Sequence, residues 1–137
     1  MNLFTGLSGL SHISSAESRS ISAENFTGEK GKGGMATEGT GKNCARDLGQ
    51  GWKVSPSIVL NSKEVFEIAN ISGPGIIKHI WIVDDCKKNR KLVMRIYWDD
   101  SEIPSVETPL SDFFACADYQ TYAPLTSLPV CVNPARA

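Results

Sequence analysis

The stretch IIKHIWIVDDCKKNRKLVMRIYW, residues 76–98, decides the fold. Its opening part places Ile76, Lys78, Ile80 and Ile82 on one face of an extended chain and Ile77, His79, Trp81 and Val83 on the other. All but Lys78 and His79 are β-branched or aromatic, so this is a strand to be covered on both faces. The closing part alternates, with Leu92, Met94, Ile96 and Trp98 on one face and Val93, Arg95 and Tyr97 on the other. The charged run between them, with Lys87, Lys88, Arg90 and Lys91, reads as a solvated hairpin connection.

Working upstream, Gly73-Pro74-Gly75 breaks the chain, residues 64–71 are again β-rich, Asn61-Ser62 marks a turn, and Ile58-Val59-Leu60 is a short apolar run. Downstream, residues 99–125 read as a long loop carrying Pro104, Pro109 and Pro124, with Phe113-Phe114 as an apolar burst. Leu128, Val130 and Val132 then alternate as a last strand. Short strands separated by turn signals predict an all-β sandwich, with a jelly roll as its natural form. The strands are fewer than the roughly eight of a jelly roll. The expectation is therefore an incomplete sandwich, completed by a partner, another copy or a missing C-terminal portion, because open sheet edges invite association.

Ahead of the strands lies a region of another texture. Residues 18–56, SRSISAENFTGEKGKGGMATEGTGKNCARDLGQGWKVSP, hold few apolar groups between Ile21 and Trp52 but many glycines, charges and amides. Fixing each residue costs on the order of 1–2 kcal/mol, so such a segment needs outside support to be ordered. A flexible linker would use Ser, Pro and repeats. The bulky donors and acceptors Glu24, Asn25, Glu29, Lys30, Arg46 and Trp52 predict instead an ordered polar loop on a scaffold. In residues 1–17, Leu3, Phe4, Leu7 and Leu10 predict a short amphipathic helix, weakened by Gly6 and Gly9 at about 1 kcal/mol each. The expected organisation is thus an N-terminal helical segment (1–17), a Gly-rich ordered loop (18–56) and a sandwich portion (57–137).

Composition excludes several functions. Of the 137 residues 41% are apolar and 21% charged, ordinary values for a globular chain. The formal net charge of -1 offers no electrostatic basis for binding nucleic acid or an anionic membrane. No signal peptide or membrane span is visible, which makes the cytoplasm the expected location. Cys44, Cys86, Cys116 and Cys131 show no C-x-x-C spacing and read as free thiols, and neither His12 nor His79 stands beside a cysteine at metal-ligand spacing. Gly31-Lys32-Gly33-Gly34-Met35-Ala36 fits a loose G-x-G-x-x-A, but no strand precedes it and no helix pattern follows. Gly41-Lys42 lacks both the leading glycine and the Ser/Thr of a Walker loop. No nucleotide, metal or other cofactor is expected.

The runs SRSISAEN and TGEKGKGGMA, then ARDLGQGWKVSPSI, GPGIIKHIW, RIYWDDSEIPSVETPLSDFF and SLPVCVNP, resemble the N-terminal part of glycoside hydrolase family 172. The resemblance implies the first of two tandem jelly rolls in an oligomeric, retaining enzyme acting on furanosides of the fructofuranoside or arabinofuranoside type. It also implies that the two catalytic glutamates lie beyond Ala137, leaving this chain inactive alone. Sugars are held by polar groups on hydroxyls and aromatic faces on C–H surfaces. The substrate-binding candidates are Glu24, Asn25, Glu29, Lys30, Arg46, Trp52, Trp98, Asp99, Asp112 and Phe113. The alternatives are ordinary: Glu29 tied to Lys30 or Lys32 by ion pairs, Trp98 in the core, Asp99 as a strand terminator, Phe113 as a loop anchor. Phe26, Ser111 and Ala115 depart from the family pattern, which has Pro at the first and Gly at the other two. A non-catalytic carbohydrate-binding or assembly module is the competing reading.

Overall fold

A computed structural model describes residues 11, 13, 15–44, 48–84, 89–116, 125–127 and 131–132. The chain forms two compact units, Met1–Ile76 and Ile77–Ala137. The helix expected within residues 1–17 falls almost wholly outside the described residues, as does Arg46.

The second unit contains the regular structure. A single 3-10 turn, Asn89–Lys91, leads into β1, Val93–Ile96, which pairs antiparallel with β2, Val106–Pro109. Val93 faces Pro109, and Ile96 faces Val106. On β1, Met94 and Ile96 are half-buried while Val93 and Arg95 are exposed, so the alternation in the sequence does set the faces. Across the exposed face Arg95 Nε donates to Glu107 Oε2 at 2.6 Å. That hydrogen bond, and secondarily the carboxylate's charge, holds the Arg95 guanidinium above its ordinary pKa. β3, Leu125–Thr126, and β4, Cys131–Val132, form a second two-stranded ladder.

β2 and the short helix α1, Leu110–Phe113, lie where the prolines predicted loop. Pro109 is tolerated because it ends an edge strand; the next amide, Leu110 N, resumes the ladder to Leu92 O at 2.9 Å. α1 ends with Ala115 N donating to Asp112 O at 3.0 Å and Cys116 N to Ser111 O at 2.8 Å, the paired bonds of a Schellman cap. Such a cap places its penultimate residue in the left-handed region, and Ala115 has φ 56°. The glycine expected there by family resemblance would fit without the Cβ penalty.

Residues 57–83 differ most from the sequence expectation. They form no strand, and Val59, Val65, Trp81 and Val83 are 74%, 85%, 66% and 67% exposed. The turn at Asn61–Glu64 is present, closed by Glu64 N to Asn61 O at 3.1 Å. A β-pattern specifies a surface to be covered; without a hydrogen-bonded neighbour and an opposing layer it does not make a strand.

Order in the first unit comes from elsewhere. Residues 39–41 lie against residues 53–56, with Gly41 N donating to Val54 O at 2.8 Å and Thr40 Oγ1 reaching Ser57 O at 3.1 Å. The approach is close enough that a Cβ on Gly39 would stand 2.5 Å from Ser55 Cβ, and one on Gly41 would stand 2.7 Å from Pro56 Cδ. Val54 and Ser55 are buried in this contact. Phe26 meets Phe66 edge-on, with ring centroids 5.6 Å apart.

Candidate functional site

In residues 18–35 the chain folds as a succession of turns. Ser22 and Asn25 exchange backbone hydrogen bonds of 3.1 and 2.8 Å, and Gly28 N then donates to Asn25 O at 3.3 Å. The next turns close through Lys32 N to Glu29 O and Met35 N to Lys32 O. Gly31 (φ 76°) and Gly34 (φ 70°) occupy their third positions, where positive φ is required. The Gly-x-x-Gly spacing within KGKGG is therefore turn chemistry rather than a phosphate loop.

These turns enclose an open cleft of about 210 Å3 whose walls include Ser18, Arg19, Ser22, Asn25, Glu29 and Lys30. Asn25 is fixed by donating Nδ2 to Glu29 O at 3.0 Å and accepting Thr27 Oγ1 at 3.4 Å. Arg19 is paired with Glu17 at 2.5 Å. Among the described residues no ion pair ties Glu29 to Lys30 or Lys32, so both exposed charges are available at the cleft. The loop's own ion pair is instead Lys42 with Glu38, at 2.5 Å. The Ser, Arg, Asn, Glu and Lys side chains on its walls carry groups that can pair with ligand hydroxyls.

Of the candidates read from sequence, Asn25, Glu29 and Lys30 meet at this cleft. Glu24 lies between Ser22 and Asn25 in sequence, but its Oε1 accepts Ser55 N at 2.7 Å. Trp52 is 56% exposed on the turn closed by its N–H to Gly49 O. The other candidates belong to the second unit. Trp98 is 50% exposed, which corrects the core reading of this residue. The burial alternation stops at Ile96 because the chain leaves the ladder there: Asp99 and Asp100 take φ 53° and 57° in a turn closed by Ser101 N to Trp98 O at 3.1 Å. Asp112 pairs with Arg90 at 3.2 Å and accepts Ser111 Oγ at 3.2 Å, while Phe113 packs edge-on against Phe114. Ser18, Arg19 and Ser22 are cleft residues that sequence reasoning did not select. The serine-arginine pattern SRSIS was their only signal, and it carries no chemistry until the turns fold it.

Among the described residues no group of three or more His, Cys, Asp or Glu is placed to hold a metal ion, and no helix is long and apolar enough to cross a membrane. Short antiparallel ladders and a small cleft built from turns are what the described residues present. The family model of the GH172 first beta-sandwich domain matches residues 36–133, most of the chain. The chain belongs to this glycoside hydrolase family, as the N-terminal β-sandwich part of its proteins. Among curated proteins nothing matches it.

Proposed function

We propose that this chain forms the sugar-facing N-terminal portion of a retaining glycoside hydrolase acting on furanosides of the fructofuranoside or arabinofuranoside type. Its sandwich is a jelly roll completed by further polypeptide, which also supplies the catalytic carboxyl pair. Asn25, Glu29 and Lys30 address ligand hydroxyls, and Arg46, Trp52, Trp98, Asp99, Asp112 and Phe113 are the remaining contact candidates.

The observation that carries this reading is the cleft's single carboxylate. A retaining glycosidase needs two carboxyl groups about 5–5.5 Å apart. Among the described residues Glu29 is the one carboxylate lining the cleft, while Glu38, Glu64, Glu107 and Asp112 are held by Lys42, Asn61, Arg95 and Arg90. The expected behaviour is binding without turnover. Titration of the 137-residue chain with methyl arabinofuranoside and methyl fructofuranoside should move amide resonances in residues 18–33, with no release from p-nitrophenyl furanosides. Hydrolysis by this chain would overturn the assignment of the catalytic pair, and unmoved resonances would overturn the sugar reading.

The exposed β-rich residues 57–83 favour a second reading, a carbohydrate-binding or assembly module whose partner is another copy or a C-terminal portion of the same family. Sedimentation separates the two: self-association that buries Trp81 would support assembly, and a monomer at high concentration would oppose it.

A further inference from the structure

We propose that Glu24 is the positioning residue of the cleft. Its carboxylate couples the Ser22–Asn25 turn, which supplies part of the cleft wall, to the packed pair 39–41 and 53–56. The role in binding rests on the sugar reading above, whereas the coupling is a property of the fold and is measured separately.

The argument begins with where hydrogen bonds go. The bonds within residues 18–33 are local: Asn25 to Ser22, Asn25 Nδ2 to Glu29 O, Gly28 N to Asn25 O, Lys32 N to Glu29 O. Turns of this kind shape a surface; what ties it to the rest of the unit is the Phe26–Phe66 ring contact, the bonds of Gly51 N to Gly34 O at 2.8 Å and Gln50 Nε2 to Met35 O at 2.7 Å at its far end, and one further bond. Among the described residues, the Glu24 Oε1 to Ser55 N bond is the one hydrogen bond joining residues 18–33 to any residue beyond 35, across 31 positions of sequence. At 2.7 Å it is a charge-assisted bond to a backbone amide, among the stronger kinds. Its donor belongs to a rigid place, because Ser55 is buried and the adjacent Gly39 leaves no room for a Cβ. Glu24 N also donates to Ser22 Oγ at 3.2 Å, so the turn and the strut share one residue.

The other carboxylate oxygen is informative too. Glu24 Oε2 is buried and has no hydrogen-bond partner among the described residues. The Oε1 bond is therefore what ties this carboxylate to a distant part of the described residues.

The test uses the full 137-residue chain, with amide hydrogen exchange and furanoside titration followed by NMR. Glu24→Ala should speed exchange at Ser55 N by about tenfold and weaken methyl arabinofuranoside binding by about tenfold, with shifts at Gly28 and Gly31 in the free protein. Glu24→Gln keeps an acceptor at Oε1 and should restore both readouts to within about twofold. If the glutamine variant protects Ser55 but does not restore affinity, Glu24 touches the ligand itself and the positioning role is overturned. Unmoved Gly28 and Gly31 resonances in Glu24→Ala would overturn the coupling. Should the unmutated chain bind no furanoside, the sugar reading falls, and the exchange and resonance measurements still decide whether Glu24 positions the cleft.

Discussion

Residues 18–56 and residues 57–83 invert the usual relation between apolar content and order. The first stretch is poor in apolar groups yet contains the buried Val54 and Ser55 and hydrogen bonds that cross the sequence. The second is rich in Ile, Val and Trp yet exposes most of them and forms no ladder. Glycine accounts for the first half of the contrast. Where no Cβ intervenes, backbones approach closely and satisfy each other, as at Gly39 against Ser55. The second half follows from the nature of a strand, whose apolar faces stabilise only when another layer covers them.

The sharpest way to break this comparison is to put a methyl group into the glycine contact. Gly39→Ala should destabilise the first unit by about 2–3 kcal/mol, since the new Cβ meets Ser55 Cβ and Cα rather than a movable side-chain end. Urea unfolding measures it, and a neutral result would mean the close approach is not what orders the loop.

Removing the aromatic contact should cost less. Phe66→Ala gives up an edge-on ring pair worth about 0.5–1.5 kcal/mol beyond its area, and thermal unfolding should register a loss on that order.

In the second unit the expected change is a gain. Ala115→Gly relieves a left-handed residue at the Schellman cap and should stabilise by about 1 kcal/mol, read as a raised midpoint in urea. A loss would show that the cap is not the conformation held in solution.

The smallest effect belongs to the stretch that looked most like core. Val65→Thr, at a residue 85% exposed, should change stability of the isolated chain by less than about 0.5 kcal/mol. A larger loss, or one that depends on protein concentration, would reveal a covering partner. The β1–β2 hairpin should also be insensitive to pH through Arg95. Its guanidinium is raised above an already high value, so Arg95 keeps its charge at neutral and mildly alkaline pH and gives up its side of the pair only as pH rises through that raised value. Cross-strand nuclear Overhauser contacts between Arg95 and Glu107 check this.

Much of the architecture was legible where a local rule sufficed. The Leu92-Met94-Ile96 alternation predicted the faces of β1, because side chains on a strand alternate whatever their partner. The turn at Asn61–Glu64 and the polar loop's clustering of Asn25, Glu29 and Lys30 were likewise within reach. β2 was missed because Pro104 and Pro109 read as breakers, and only its place at a sheet edge makes a terminal proline harmless. The strand stops at Ile96, short of Trp98, because a strand's end is set by where its neighbour turns away. Nothing in the local pattern around Glu24, a candidate ligand contact, marks Ser55 N as the partner of its Oε1, 31 residues downstream.

By itself the sequence determined the β-rich texture, the face periodicity of residues 92–96, the polar and turn-forming character of residues 18–56 and, through long irregular motifs, membership in the glycoside hydrolase family. Those are properties of neighbouring residues, which chemistry and spacing fix locally. Only the tertiary structure decided which acidic groups are engaged and which remain at the cleft, that Gly39 and Gly41 serve a backbone contact, and that Ser22 shares a wall with Lys30. Those facts depend on contacts between distant residues, and no local pattern encodes that Glu24 is the carboxylate that finds the buried Ser55 amide.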